Sequence, residues 1–416
     1  MSVPLPSEWL ISTMNRNAPR GPERRTVKPD CRYFIGDRPC TFHKAEGVTC
    51  GDCDHYSPVK MRILVIKLGA MGDVLRTTSI LPALDRKYRG PHITWVTEDE
   101  SLDLLKDNPM VDSLMGLGTG SLARIQVEAF DLVINPEAAR ESAALASVVR
   151  AKEKKGFGLS PKGSVFPFNP EAEEIFHMGL MDDLKRSNEK TYEELLCRLS
   201  GLPYERIPPI LRLTDDEIRF AEEFRSTTGI ETDRPVVGIN TGGGSRWPLK
   251  RWTIDGFAEL ARRLLRDPGT QVLILGGPAE AEINRQILSR LGGEAVDGGC
   301  FNPPMRFAGL VNLCDVVVTG DSLALHVGLA LRRRVVALFG PTSEAEVDLY
   351  GLGTKISAPM DCLCCYRQEC DKSPNCMESI PVDRVYRAVQ EQLGFLETES
   401  HESLCDDPDI QRKQQH

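Results

Sequence analysis

The sequence has no long apolar run, and this absence limits where the protein can reside. None of its apolar stretches reaches the roughly 18 residues that a membrane-spanning helix needs. Residues 1–10 contain two prolines and lack the apolar centre of a signal peptide. We therefore expect a cytoplasmic protein that touches the inner membrane only peripherally, if at all.

Positive charge is also scarce. Lys and Arg number 51 against 60 Asp and Glu, which gives a formal net charge of −9. A nucleic-acid-binding domain carries a basic surplus, so we expect no nucleic-acid partner. Arg86, Lys87 and Arg89 form a local basic cluster that suits an anionic acceptor. The 416 residues and the 41% hydrophobic content predict an ordinary globular protein of about two domains, with additional segments.

Cysteine, by contrast, is abundant, with 13 residues. In a cytosolic chain this number favours metal or redox chemistry over disulfides. The stretch CRYFIGDRPCTFHKAEGVTCGDCDHY contains a pair with the CxxC spacing that grips a tetrahedral metal. Zinc and an iron–sulfur cluster both fit this stretch, and reduced thiols without metal are the alternative. The predicted ligands are Cys31, Cys40, Cys50 and Cys53, with His43 and His55 as alternative ligands.

A second group of cysteines lies in DCLCCYRQECDKSPNCMESI. Its spacing is typical of metal ligands, and Cys364 is left over as a spare. Four sulfur ligands leave no open coordination position, so we predict a structural metal, with reduced thiols again as the alternative. The predicted ligands are Cys362, Cys365, Cys370 and Cys376.

The stretch RILVIKLGAMGDVLRTT combines a strand, a turn and the start of a helix. Residues 63–68 are apolar over the length of a strand, and Gly69 and Gly72 supply freedom for a tight turn. Asp73 then stands where a helix N-cap is expected, so N–H groups and the helix dipole would keep its carboxylate ionised. Because open α/β sheets bind ligands at the carboxyl ends of their strands, Asp73 is a candidate general base. The alternative is a cap without chemistry.

Strand and helix patterns then alternate, which predicts parallel α/β sheets. Strands are expected at residues 92–97 and 131–135, and helices from Glu137 and over residues 171–200. Prolines at 203, 208 and 209 interrupt the pattern. The predicted divisions are a polar lead with a Cys-rich extension (1–60), an acceptor domain (61–200), a connection (201–234), a donor domain (235–360), a Cys-rich segment with a last helix that crosses back to the first domain (361–395) and a disordered tail (396–416).

The donor domain begins with the strand VVGIN, which runs into TGGGSRWPLKRW. Glycines let a backbone approach a phosphate, and Arg246 and Lys250 bring positive charge to it. Glu280 or Glu282 follows the next strand and is placed to bind a ribose. The predictions in this part of the chain are a phosphate site and a ribose site.

A later strand, residues 315–319, leads directly into a helix near Ser322. A helix start at Gly320, Asp321 and Ser322 offers N–H donors to an anion. His326 lies one turn further on the same face, either as a buried core residue or as a functional one.

The chain contains, in this order, the motifs KLGAMGDVLRTT, RWPLKRW, LGGP, GDSLALHVGLAL and ALFGPT. With them it resembles, over residues 61–393, the family-nine glycosyltransferases, which are the ADP-heptose:lipopolysaccharide heptosyltransferases. The resemblance implies a GT-B fold, in which two Rossmann-like domains face each other across the active site. It also implies inverting transfer of heptose from ADP-heptose to a lipopolysaccharide core or related glycan. Asp73 would be the base, Lys250 would bind the donor phosphates, and Asp321, Ser322, Leu323 and His326 would line the donor site.

The resemblance further implies that no catalytic metal is needed, and the chain has no convincing acidic DxD motif. Some similar proteins carry iron on four cysteines like the second group. Relatives often have KRWP, whereas here the WP pair comes earlier, so Arg246 and Lys250 share the predicted phosphate contact. The alternatives are a GT-B transferase with another donor or a protein acceptor, and a metal-binding assembly protein on an inactive scaffold.

Overall fold

The computed structural model describes residues 26–243 and 248–399. The chain divides into two compact units, a first unit that ends at Lys60 and a second unit that begins at Met61. The predicted lead before residue 26, most of the predicted tail, and Arg246 lie outside the described residues.

The first unit contains little regular structure. Its one helix over residues 26–60 is α1 (Thr41–Glu46), and an isolated antiparallel bridge joins Cys31 to Pro58. None of residues 26–60 is buried. The described part of this unit therefore has no hydrophobic core of its own.

The second unit begins with a six-stranded sheet, the first sheet, in the order β3-β2-β1-β4-β5-β6. Its strands are parallel except for β6, which is antiparallel to β5. The strands are β1 (Arg62–Ile66), β2 (His92–Thr97), β3 (Ser113–Gly116), β4 (Ala129–Asn135), β5 (Arg150–Leu159) and β6 (Val165–Pro167). The helices of this half are α2 (Met71–Thr77), α3 (Leu81–Tyr88), α4 (Leu102–Leu105), α5 (Thr119–Val127), α6 (Arg140–Val148), α7 (Glu173–Leu180), α8 (Asp182–Arg186) and α9 (Tyr192–Ser200).

The second sheet is parallel throughout, in the order β12-β11-β10-β7-β8-β9. Its strands are β7 (Val236–Asn240), β8 (Gln271–Leu275), β9 (Val296–Asp297), β10 (Val316–Gly320), β11 (Arg334–Phe339) and β12 (Gly353–Ser357). The accompanying helices are α10 (Asp215–Thr228), α11 (Ile254–Arg266), α12 (Ala281–Arg290), α13 (Pro304–Asn312), α14 (Leu323–Ala330) and α15 (Val382–Glu399). The predicted α/β fold with two Rossmann-like sheets is thus confirmed.

The strand order places the candidate site. In each sheet the chain reverses its direction of winding between two neighbouring central strands, β1 and β4 in the first sheet and β7 and β10 in the second. Such reversals open a crevice at the carboxyl ends of the strands, where α/β proteins bind ligands. Asp73 follows β1, and Asp321 follows β10.

Some elements differ from the prediction for identifiable reasons. Strand β5 was not predicted, because its sequence RAKEKKGFGL is largely charged and only residues 156–158 are buried. The helix expected from Glu137 begins at Arg140, and the helical region 171–200 is broken into α7, α8 and α9. The predicted connection between the sheets contains α10.

Helix α15 packs on the second sheet. Its buried positions Val385, Ala388 and Val389 have helical spacing and belong to the core that α11 and β10 also form. The sequence instead predicts a crossing back to the first domain, but the apolar face of the helix is already covered by the second sheet. The helix also continues to Glu399, into the predicted tail. Among the described residues, no helix has the length and apolarity to cross a bilayer.

Candidate active site between the two sheets

Asp73 lies in the first turn of α2. The helix begins at Met71 after Ala70, which has extended backbone angles, so Asp73 is the third helical residue. The prediction that Asp73 is the N-cap was therefore wrong, because the helix begins two residues earlier. Instead of capping N–H groups, the carboxylate pairs with Arg76 at 2.9 Å and stands 3.9 Å from the amine of Lys67.

These two cations set the charge of Asp73. Burial alone would raise the pKa of its carboxyl, but the positive charges of Arg76 and Lys67 outweigh burial and hold the pKa below its usual value. The carboxylate is therefore ionised at neutral pH. Its side chain is 40% exposed, so an acceptor hydroxyl can reach it.

Arg76 is itself held in place. Its guanidinium lies 3.7 Å from the centre of the Tyr192 ring, and only 11% of the side chain is exposed. The Tyr192 hydroxyl hydrogen-bonds with Thr77, 2.9 Å away. On the other side of Asp73, Lys67 also lies 3.4 Å from Glu137. The base candidate thus sits in a fixed network of charges.

Gly72 brings the two halves of the second unit together. A Cβ added to Gly72 would come within 2.9 Å of Cδ2 of His326 on α14. Neither Gly69 nor Gly72 has a positive φ, so the turn does not use left-handed glycines. The glycine at 72 instead permits α2 and α14 to touch, which places Asp73 beside the start of α14.

His326 is both buried and part of the cleft. Its side chain is almost fully enclosed, and burial together with the charge of Arg76 lowers the pKa of its imidazole to about 4. His326 is therefore neutral at pH 7. It lies among charged groups from both sheets, since Asp73 and Asp321 both act on its pKa.

Asp321 and Lys250 form an ion pair at the carboxyl end of β10. The Lys250 amine donates to Oδ2 of Asp321 at 2.7 Å, and both side chains are largely buried. Burial would raise the pKa of Asp321, but Lys250 and His326 outweigh it and lower that pKa to about 2. Gly320 is required here, because a Cβ would come within 2.9 Å of the Lys250 carbonyl oxygen.

Ser322 is the N-cap of α14, which begins at Leu323 as predicted. Its hydroxyl lies 2.9 Å from that of Thr319 and accepts from the Asn240 amide at 3.2 Å. These contacts join the ends of β7 and β10 and fix the turn. The unpaired N–H groups at the start of α14 therefore have a rigid position next to Lys250.

The structure separates the two glutamates proposed for a ribose. Glu280 is buried, accepts from the Gly277 N–H at 3.0 Å and stands against Gly242, beyond the end of β7. Glu282 is exposed on α12 and pairs with Arg285 at 2.6 Å. Only Glu280 lies at the edge of the sheet where Lys250 and Asp321 lie.

The cysteines of the second group are near one another. Burial raises the pKa of Cys376, and nearby thiols, Cys365 first, raise it further. Cys364 points elsewhere, toward Ser343 and Tyr366, in agreement with its assignment as a spare. Within residues 26–243 and 248–399, no three His, Cys, Asp or Glu side chains are close enough to hold a metal ion. Metal binding at both cysteine groups stays a prediction, and no catalytic step is assigned to a metal.

Sequence reasoning missed several members of the site. Arg76 could have been found, because it lies one helical turn after Asp73. Lys67 ends the strand pattern and was read only as part of an apolar run. Tyr192 and Glu137 come from distant elements, and no local signal points to them.

Comparisons with known proteins agree with this geometry. The sequence profile of glycosyltransferase family 9 (heptosyltransferase) matches residues 121–375, more than half of the chain. Lipopolysaccharide heptosyltransferase 2 of Escherichia coli is 28% identical over 306 residues, which cover 68% of this chain and 84% of that protein. The structure of E. coli ADP-heptose lps heptosyltransferase II has a TM-score of 0.62 at 21% identity and covers 81% of this chain and all of that one. E. coli heptosyltransferase WaaC with ADP has a TM-score of 0.56 at 19% identity and covers 80% of this chain and all of that one.

Proposed function

The chain belongs to glycosyltransferase family 9, a heptosyltransferase family, and from this premise we propose that it transfers heptose from ADP-heptose to a lipopolysaccharide core or related glycan, with inversion at the anomeric carbon. One observation carries the proposal. The contact between Gly72 and His326 sets an ionised carboxylate, Asp73, beside the Lys250–Asp321 pair at the start of α14. A base and an anion site thus face the same crevice.

The donor binds at the second sheet. The diphosphate lies against the first N–H groups of α14 and the Lys250 amine, where a helix start and a cation both favour negative charge. Arg246 remains a predicted second cation. Glu280, fixed by Gly277, hydrogen-bonds the ribose. This arrangement stabilises the charge that develops on the departing ADP without a divalent metal.

The acceptor binds at the first sheet, on the exposed side of Asp73. As the acceptor oxygen forms its bond to the anomeric carbon, its proton passes to Asp73 and the bond between the sugar and the β-phosphate breaks, releasing ADP. Attack from the face opposite the leaving group inverts the configuration. Arg76 and Lys67 orient the carboxylate, and His326 is neutral at pH 7.

The relatives support the choice of donor and acceptor. The E. coli relative is named a lipopolysaccharide heptosyltransferase, and WaaC has been seen with ADP. Another nucleotide sugar and a protein acceptor are the competing assignments for the same site, and an inactive scaffold is the competing class.

Thermal unfolding with a panel of nucleotide sugars tests the donor. A ligand that binds only the folded state raises the unfolding temperature by mass action, so ADP and ADP-heptose should raise it and UDP- or GDP-sugars should not. Mass spectrometry of a lipopolysaccharide-core acceptor should then show the added heptose. Stabilisation by a different nucleotide sugar alone would assign another donor. Binding of ADP-heptose without transfer to any glycan or protein acceptor would favour the inactive scaffold.

A further inference from the structure

The first unit has four thiols around one cavity. Cys31, Cys40, Cys50 and Cys53 all line a space of about 210 Å³. All four cysteines are free and half-buried, so no disulfide links them. The separate stretches of the unit that carry these thiols therefore border the same cavity.

Residues 26–60, the described part of the unit, show no other source of stability. None of them is buried, and their regular structure is one six-residue helix and one bridge. Units below about 70–80 residues usually need disulfides, a metal or a partner to supplement a small core. A metal group at the cavity would supply the missing free energy of folding, because metal binding and folding are coupled in such units.

The two histidines beside the cavity already have partners. Nδ1 of His43 lies 2.8 Å from the carbonyl oxygen of Val48, and Nε2 of His55 lies 2.9 Å from the Glu46 carboxylate. The His55 ring also stacks on Phe42, with ring centres 3.7 Å apart. These contacts occupy one ring nitrogen of each histidine and hold the walls of the cavity. The four thiols are the proposed ligands because all four line the cavity and four cysteines are the usual ligand set of an iron–sulfur cluster.

The size of the cavity discriminates between a single ion and a cluster. Zinc–sulfur bonds of about 2.3 Å would draw four sulfurs to within roughly 4 Å of one another and leave no space between them. Among the described residues of the first unit, no three His, Cys, Asp or Glu side chains are placed to hold a single metal ion. The space is many times the roughly 10–15 Å³ that one water needs by the same measure. A space of this size lined by four thiols matches a polynuclear group, and four cysteines are the usual ligands of iron–sulfur clusters.

We propose that the first unit binds an iron–sulfur cluster through Cys31, Cys40, Cys50 and Cys53. The four thiols lose their protons as the sulfurs bind iron, and the inorganic sulfide comes with the cluster. Tyr33 and Phe42, in edge-to-face contact at 4.8 Å, shield one side from water. The cluster organises the unit, and this role does not depend on the proposed transfer reaction.

The full chain, purified without oxygen, tests the proposal. Because the second group of cysteines is a separate predicted metal site, the comparison is made in a Cys362→Ser/Cys365→Ser background. That protein should contain iron and acid-labile sulfide in nearly equal amounts and should show visible charge-transfer absorption. Adding Cys50→Ser and Cys53→Ser should remove at least nine-tenths of the iron, sulfide and absorption. Adding Cys300→Ser, a buried cysteine of the second unit, should leave all three unchanged.

A second measurement distinguishes loss of the cluster from unfolding of the whole protein. Calorimetric binding of ADP, or of a dye that recognises the folded second unit if ADP does not bind, should be the same with and without Cys50 and Cys53. One equivalent of zinc, iron without sulfide, or no metal in the Cys362→Ser/Cys365→Ser protein would each overturn the proposal. Sulfide that survives replacement of Cys50 and Cys53 would also overturn it.

Discussion

Gly72 and His326 touch across the crevice between the two sheets. The imidazole ring of His326 occupies the space that a side chain at residue 72 would fill. A Cβ added to Gly72 would lie only 2.9 Å from Cδ2 of that ring. Through this contact the helix that carries Asp73 and the helix that begins beyond Asp321 take up one relative position. The spacing between the proposed base and the proposed phosphate site therefore depends on one glycine and one histidine.

Gly72→Ala should damage both stability and transfer. The new methyl group must push His326 or separate the helices, and overpacking of this kind costs about 1–3 kcal/mol. Urea unfolding and kcat measure the two effects. Gly120→Ala is the matched control, because it also lies in a helix and its added Cβ meets nothing within 4 Å. That substitution should be neutral or slightly stabilising. Equal behaviour of the two variants would contradict the importance of the contact.

Asp73→Asn should lower kcat by at least about 100-fold while ADP affinity stays within about twofold, as expected when a general base is lost and donor binding is kept. The amide preserves the size of the side chain. Asp103→Asn replaces another carboxylate in the first turn of a helix, an exposed residue of α4, and should leave kcat unchanged. Turnover by Asp73→Asn near the wild-type rate would show that Asp73 only shapes the first turn of α2.

Arg76 should control the acid limb of the pH–rate profile. Since Arg76 lowers the pKa of Asp73, Arg76→Met should raise that pKa, and activity should be lost at a higher pH as the solution is acidified. Arg76→Lys keeps the charge and should shift the limb less. The profile of kcat/KM measures this, and a His326→Gln background removes the contribution of the imidazole, whose pKa burial and Arg76 lower. If the acid limb were the same in wild type and Arg76→Met, Arg76 would not set the pKa of the catalytic base.

The sequence was sufficient to predict the strands whose residues are buried on both faces of a sheet. Residues 63–66 and the strand VVGIN are buried throughout and are mostly apolar, so their strands were predicted within one or two residues. The charged strand β5 was missed because its outer residues face water and its pattern resembles that of a loop or a helix. Whether such a segment becomes a strand, a helix or a loop depends on which of its residues become buried, and burial is decided only when the chain folds.

The candidate site was predictable in its positions but not in its contacts. Asp73, Lys250 and Asp321 follow strands or turns that local patterns reveal. The pairing of Lys250 with Asp321 and the stacking of Arg76 on Tyr192 join segments far apart in the chain. Such contacts arise from tertiary packing, which a single sequence does not encode in any local pattern. For the same reason, the start of α2 was placed three residues late.

Lys250→Ala should weaken ADP binding about tenfold or more, since charge-assisted hydrogen bonds contribute about 1.5–3 kcal/mol. The loss should appear in calorimetry with ADP alone, because the amine is proposed to bind the diphosphate rather than the sugar. Lys152→Ala is the control, because that lysine is exposed and pairs with Asp131 at the first sheet. Unchanged ADP affinity in Lys250→Ala would assign the phosphate to other groups, with Arg246 the first to examine.

The second group of cysteines should stabilise the loop that follows β11 rather than take part in transfer. A Cβ at Gly340 would come within 2.6 Å of the Cys376 sulfur, and the Cys364 N–H donates to the Gly340 carbonyl at 3.0 Å. These contacts tie the cysteine segment to the strand next to β10, which leads to Asp321.

Replacing Cys362 and Cys365 by Ser should therefore lower the metal content and the unfolding temperature together, because bound metal contributes to folding. Activity should fall only in proportion to the folded fraction. Cys364→Ser, whose thiol points away from the group, should retain the metal. Elemental analysis and calorimetry of anaerobically purified protein measure both quantities. A stable double variant with unchanged metal would show that these thiols are merely reduced. A fully folded variant with lost turnover would instead place the metal in the reaction.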